Sequence, residues 1–224
     1  RSSDLTYTKD YAKFFGTTVS LFYYGGPTTR GSYDYVDNVY NDGGYAYSLM
    51  DIPTLEDLQS SAGEWGKGNW KFKDNGEYSG AAQAEDFWKY IQQDKYLSKH
   101  TGEVADRNTL VGPWVHHFDL KLNQNFYFFT GKDNHKHTVQ LGLDIKNVGN
   151  LLNSNWGNEW SICASSYGNA QPLKLTNAKD VYVDGKDPVF QFQKNGNSVL
   201  SETCYKSVSS ASTWQMIASV RYIF

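Results

Sequence analysis

The chain has 224 residues with 21 basic against 24 acidic side chains, a net charge of −3, so it shows no electrostatic footprint for nucleic acid or an anionic membrane surface. Its 17 Tyr, 12 Phe and 7 Trp sit beside 20 Gly in a sequence whose mean hydropathy is only −0.62. That pairing suits aromatic girdles on strands joined by wet loops, and equally a carbohydrate-binding surface; no run nears the ~20 apolar residues of a transmembrane helix.

The opening RSSDLTYTKD has no apolar signal segment, which for an exported protein predicts a processed or truncated N-terminus. Within it, SDLTYT is a weak strand candidate, and AKF near Ala12 reads as a turn. GTTVSLFYY, Gly16 to Tyr24, is a strong strand with Thr17, Val19, Leu21 and Tyr23 on one side. YNDGGY, Tyr40 to Tyr45, reads as a turn whose carboxylates are too few and too irregular for a calcium loop. SGAAQAEDFWKYIQQDKYLSKH carries Ala84, Phe87, Trp88 and Ile91 at helical spacing behind Ser79, a capping residue. The Phe87/Trp88 face is expected to pack on the loop or a barrel rim.

WVHHFDLKLNQNFYFF, Trp114 to Phe129, alternates Phe118, Leu120, Leu122, Phe126 and Phe128 with His117, Asp119, Lys121, Asn123 and Asn125. A tight polar turn, Thr130 to His137, leads to HTVQLGLDIKN, where Val139, Leu141, Leu143 and Ile145 oppose Gln140, Gly142, Asp144 and Lys146. At the end, Trp214, Met216, Ala218, Val220, Tyr222 and Phe224 form one uninterrupted apolar face. Each strong segment has the ~9–12 residues that a tilted strand needs to cross a bilayer. Residues 16–24, 114–129, 137–147 and 213–224 are therefore expected in one antiparallel sheet.

Alternation alone does not separate a membrane barrel from a soluble sandwich, because either gives a strand two different surroundings. Rings at the ends of the apolar stripes favour a barrel, since interfacial belts place them there whereas sandwiches bury aromatics mid-strand. Short turns alternate with very long connections, 25–113 and 148–212, the latter too long for ordinary compact domains. Trp65, Trp70, Trp156 and Trp160 fall in those loops and suit ligand stacking or plain loop packing.

No catalytic constellation is present in sequence: there is no G-x-S-x-G, no phosphate loop after a strand and no Cys-His pairing. His116, His117, His135 and His137 lie on successive strands, but neighbours alternate faces, so solvated or rim positions are expected and no metal or other cofactor. Asp119, Lys121 and Asp144 read as an inner-face charge network. Cys163 and Cys204 lie in polar, loop-like sequence; a disulfide is the preferred reading and two free thiols the other.

Three segments carry a family resemblance. HTVQLGLDIKNVGNLLNSNWG, with Asn147, Asn150, Leu151, Leu152 and Asn153, resembles the penultimate strand of TonB-dependent outer-membrane receptors. DFWKYIQQDKYLSKHTGEVADRNTLVGPWVHHFDLKLNQNF and YTKDYAKFFGTTVSLFYYG are similar to the Oar-like, carboxypeptidase-regulatory-domain branch of Bacteroidetes. The ending Tyr222-x-Phe224 resembles that family's outer-membrane assembly signal, with residues 158–210 the least matched part.

The resemblance implies an all-β chain: a partial antiparallel transmembrane barrel of about five strands, spanning 1–224, with long extracellular loops, one containing a helix. The plug domain and TonB-contacting motif would lie upstream, and the chain would stop at Phe224 because its last strand ends at the periplasmic rim. The implied function is binding and uptake of an unidentified nutrient at the cell outer membrane. Its partners would be membrane lipid, the barrel assembly machinery and the TonB complex acting through the missing N-terminal part. The alternative is a secreted, aromatic-rich carbohydrate-binding sandwich.

Overall fold

The computed structural model describes residues 2–11, 14–41, 48–133, 135–166 and 168–224. Ala12 of the first expected turn, and residues 42–45 of YNDGGY, lie outside the described residues. The chain is mostly β with antiparallel sheets, and no closed barrel is seen among the described residues. It forms two compact units, one from 1–28, 114–159 and 206–224, the other from 29–113 and 160–205.

The first unit is a five-stranded antiparallel meander of β1 (Ser2–Tyr11), β2 (Phe15–Pro27), β3 (Trp114–Thr130), β4 (His135–Lys146) and β5 (Gln215–Ile223). Strand order in space equals order in sequence, so the short turns fall at one end and the long connections leave from the other. The register aligns like with like: Leu5, Leu21, Leu120, Ile145 and Met216 form one row, and Tyr7, Val19, Leu122, Leu143 and Ala218 the next. A slip of one residue would throw each row to the opposite face, which is why two-sided patterning fixes the pairing. The weak first candidate is a full strand, and β4 begins at His135, two residues earlier than its alternation suggests.

The apolar face of this sheet is bare. Leu5 is 67% exposed, Leu141 45%, Met216 47% and Val220 75%, and Ile145 alone among the aliphatics of the rows is buried. In a water-soluble sandwich these positions would form the core.

The hydrophobic core cluster lies instead in the second unit, among Met50, Phe87, Tyr90, Ile91, Leu173 and Phe192. The two long connections are thus not simple loops, and helix is not confined to one of them. Ala178–Asp184 is helical in the later connection, as Gly80–Gln93 is in the earlier. Strands Ser165–Ser166, Asn169–Leu175, Val189–Phe192 and Lys71–Phe72 form a sheet in that order, with Tyr33–Tyr35 parallel to Asn169–Leu175. These strands are two to seven residues long and far apart in sequence, too short for periodicity to mark them.

Helix Gly80–Gln93 begins as its sequence predicts, with the Ser79 hydroxyl accepting from Ala82 N–H at 3.2 Å. It buries Ala84, Phe87, Tyr90 and Ile91, while Trp88 is only half-buried. Gln83 is also fully buried, and its amide is satisfied on three sides. Nε2 donates to the carbonyls of Lys73 (2.6 Å) and Tyr78 (3.1 Å), and Oε1 accepts from Phe192 N–H at 3.0 Å. Past the helix, Asp94 Oδ2 accepts from Tyr33 and Thr203 hydroxyls, both at 2.7 Å, while Oδ1 takes the N–H groups of Tyr96 and Leu97. One carboxylate therefore ties segments from both parts of the unit.

Replacing Gln83 by Leu keeps the volume but strands the Phe192 N–H and the Lys73 carbonyl, while Tyr78 O keeps its bond from Asn75 N–H, so the second unit is expected to lose about 2 kcal/mol or more. Urea unfolding followed by tryptophan fluorescence in detergent checks this, with Lys89→Ala, which removes only solvent-exposed ion pairs, expected to leave the midpoint unmoved.

Candidate functional site

The first unit presents two chemically opposite surfaces. On the apolar face, aliphatic rows are bracketed by rings. At the long-connection end Tyr23 packs on Phe118 (5.0 Å between centroids) and its hydroxyl meets His116 Nδ1 at 2.8 Å. At the other end Phe15 meets Phe126 edge-on at 5.7 Å, and Phe128, His137, Tyr222 and Phe224 follow one another at 5.7–5.9 Å. His137 is fixed there by Tyr222 (2.8 Å) and Thr130 (2.6 Å) hydroxyls. Phe118 and Phe126 stand eight residues apart on β3, about 27 Å along the strand at ~3.4 Å per residue, or about 21 Å in height at a ~40° tilt. The polar exception is the row holding Lys9, Thr17 and Gln124, directly beside the second belt, where Thr17 donates to Gln124 Oε1 at 2.6 Å.

The opposite face is cross-linked by polar pairs. Thr6 meets Ser20 (3.0 Å) and Thr8 meets Thr18 (3.1 Å); Gln140 Nε2 donates to Asn125 Oδ1 (2.8 Å); Lys121 pairs with Asp144 (3.2 Å). The inner-face charges read from sequence are brought together in part, since Asp119 goes elsewhere, accepting from Asn147 N–H at 2.8 Å. Near it a cleft of about 450 Å³ is lined by Tyr24, His117, Asp119, Lys146, Glu159 and Gln215. His117 Nε2 lies 3.3 Å from the Glu159 carboxylate, an ion-pair distance without hydrogen-bond alignment.

Beyond β4 the asparagines of the NVGNLLN segment act as a latch. Asn147, with φ +51°, sends Nδ2 to the carbonyls of Gly157 (2.9 Å) and Ser212 (3.2 Å). Asn150 donates to Trp156 O (2.9 Å) and accepts from Trp214 N–H (3.3 Å) at the entry to β5. Gly157 has φ +62°, and a Cβ there would sit 2.0 Å from Asn147 Oδ1. The left-handed φ and the Asn147 amide lying against it together favour glycine at this position.

The second unit holds a different cavity, a cleft of about 460 Å³ walled by Tyr35, Tyr40, Trp70 and Phe190, with Asp51, Asp57 and Glu103 among its polar groups. Of the four tryptophans singled out from sequence, only Trp70 lines it. Trp65 packs against the core, Trp160 is half-buried on a short strand, and Trp156 belongs to the first unit, 56% exposed. Within the second unit, Trp65 and Trp160 do not line this cleft. Tyr35, Tyr40 and Asp51 were missed because their spacing follows no helical or strand period; only the tyrosine density of YDYVDNVY hinted at them.

The expected disulfide is not formed. Cys163 and Cys204 are free thiols, and the bond from Cys163 N–H to Thr203 O sets Thr203, not Cys204, across from Cys163. Burial raises both thiols; for Cys204, burial with the nearby Cys163, Asp94 and Glu202 pushes the thiol up to about 11.

Compared with known proteins, the chain matches no family model, no curated protein and no solved structure.

Two outcomes follow from these geometries. Gly157→Ala is expected to break the latch and speed amide exchange at Asn147 and Trp214 at least about tenfold, while Gly185→Ala, whose Cβ would meet open space, leaves both unchanged. Because only the thiolate reacts, a raised folded-state pKa keeps Cys204 alkylation slow at pH 8. Its rate should climb about tenfold per pH unit until near pH 11, where an ordinary thiol levels off near ~8.5.

Proposed function

We propose that the chain forms part of the wall and the outward-facing region of a TonB-dependent receptor in the cell outer membrane, serving nutrient binding and uptake. The observation that carries this reading is the exposed apolar face of the five-stranded sheet, closed off at both ends by rings and backed by a hydrogen-bonded polar face. Hydrocarbon is the neighbour that suits such a face, and a water-filled or plugged lumen suits the other. The described residues contain no helix long and apolar enough to cross a membrane, so any crossing would be made by strands. The open order of the sheet leaves β1 and β5 as edges, which further barrel strands would pair in lipid.

In this reading the remaining strands, the plug and the TonB contact belong to other parts of the receptor, and Tyr222 and Phe224 serve the assembly machinery. No catalytic role is assigned. The secreted-sandwich alternative is less favoured, because it would bury Leu141, Met216 and Val220.

In detergent micelles, a doxyl-labelled fatty acid is expected to broaden the NMR signals of Leu122, Leu141 and Val220 while sparing Asn123, Gln140 and Ser219. Monodisperse chain in plain buffer, with no bound detergent, would refute the reading. In lipid vesicles Leu122→Arg, in the central row, should cost about 2–4 kcal/mol. Asn123→Arg, one residue on and facing the other way, should cost far less.

A further inference from the structure

We propose that the cleft of the second unit binds an organic cation: an ammonium or guanidinium group carried on an apolar stem. The inference deepens the receptor reading by naming a ligand class, and rests on it only for the use of binding in uptake.

The cleft, about 460 Å³, has the size that accommodates a side chain or small molecule. Contacts tie its walls together. Trp70 stacks on Phe190 at 4.8 Å and Tyr35 stacks on the same ring at 5.7 Å, so three rings form one slab. The Trp70 backbone is pinned by its N–H to Asp57 O at 2.8 Å. The remaining lining includes Ile52, Pro53, Val104 and Val181, which would cover an apolar stem.

The polar groups are of one sign. Asp51, Asp57 and Glu103 are carboxylates, and among the described residues the lining includes no lysine, arginine or histidine. Asp51 Oδ2 receives the hydroxyls of both Tyr35 (3.0 Å) and Tyr40 (2.6 Å). Burial and the Asp51 charge hold both phenols protonated, well above their usual range, so they remain donors to that oxygen. Among the described residues nothing donates to Asp51 Oδ1, which is left for a ligand. Burial alone would raise Asp57, but hydrogen bonds from Asn69 and Thr54 together hold it below the usual carboxylate range, so it stays charged.

Tyr35 and Phe190 are buried and back the cleft, so the ring surface open to it is that of half-buried Trp70 and exposed Tyr40; beside the carboxylates these attract a cation twice, through the ring quadrupole and through direct charge. An anionic ligand would be repelled by the same groups. A neutral sugar would stack on the rings but leave the carboxylates without a counter-charge.

The test is a titration of the full chain in detergent with Nα-acetyl-L-argininamide, followed by tryptophan fluorescence, beside its neutral isostere Nα-acetyl-L-citrullinamide and the disaccharide maltose. Argininamide should bind saturably, and about tenfold more weakly after Asp51→Asn, which keeps an acceptor for the two phenols. Trp70→Phe should weaken it severalfold while keeping a ring in place. Equal binding of citrullinamide or maltose, unchanged affinity in Asp51→Asn, or no binding of argininamide would each overturn the proposal. The sheet's membrane role does not enter this measurement, so failure here and failure of the receptor reading are read separately.

Discussion

Everything in the first unit depends on cross-strand register. Antiparallel pairing places directly opposite residues on the same face, and a period of two then propagates each strand's pattern across the sheet. Because Leu5 meets Leu21, which meets Leu120, which meets Ile145, which meets Met216, five separate stripes merge into one apolar surface. The same pairing brings Lys121 to Asp144 and Asn125 to Gln140 on the reverse. Neither surface is incidental to the other. The polar links are exposed or only part-buried and individually weak, so the ladder itself, and whatever medium covers the apolar face, must hold the strands in place.

The second unit solves the opposite problem. Its core is closed from water, and the cost of closing it falls on backbone groups that short strands cannot pair by themselves. Gln83 and Asp94 meet that need with side chains: one amide serves three backbone groups, and one carboxylate gathers two hydroxyls and two amide N–H groups. Buried polar groups that are fully satisfied specify one arrangement, because any shift strands several of them at once. Such a unit folds on water-derived driving force, whereas the sheet does not bury its own apolar rows.

This contrast explains what was legible in the chain. Phe118 to Phe128 and Val139 to Ile145 alternate for long enough that two surroundings are implied by the residues alone, and the paired sheet follows from them. Ser79 and the Ala84/Phe87/Ile91 spacing marked the helix because capping and amphipathicity are local. By contrast, Tyr33–Tyr35 pairs with Asn169–Leu175 across more than a hundred residues, and a three-residue strand carries no period. The connections therefore read as loops when they are a packed unit. Tryptophan count pointed to ligand contact, yet packing sets both Trp65 and Trp70 against the core, and of the two only Trp70 also lines the cleft. The cysteine pairing failed for a related reason: two thiols in one polar stretch say nothing of register, and here register sets Cys163 against Thr203.

The latch at Asn147 shows how a sheet of this kind can carry a large connection without losing its edge strand. After β4 the chain must leave the ladder and return as β5 in a fixed register, and the loop-closure cost of a long connection grows only slowly with its length. What must be specified is the point of return. Asn147 and Asn150 do this by bonding both the departing turn, at Gly157 and Trp156, and the returning segment, at Ser212 and Trp214. With departure and return fastened to each other, the sequence between them is free to fold into something else. That freedom lets one chain combine a sheet with a bare apolar face and a unit whose core is closed to water.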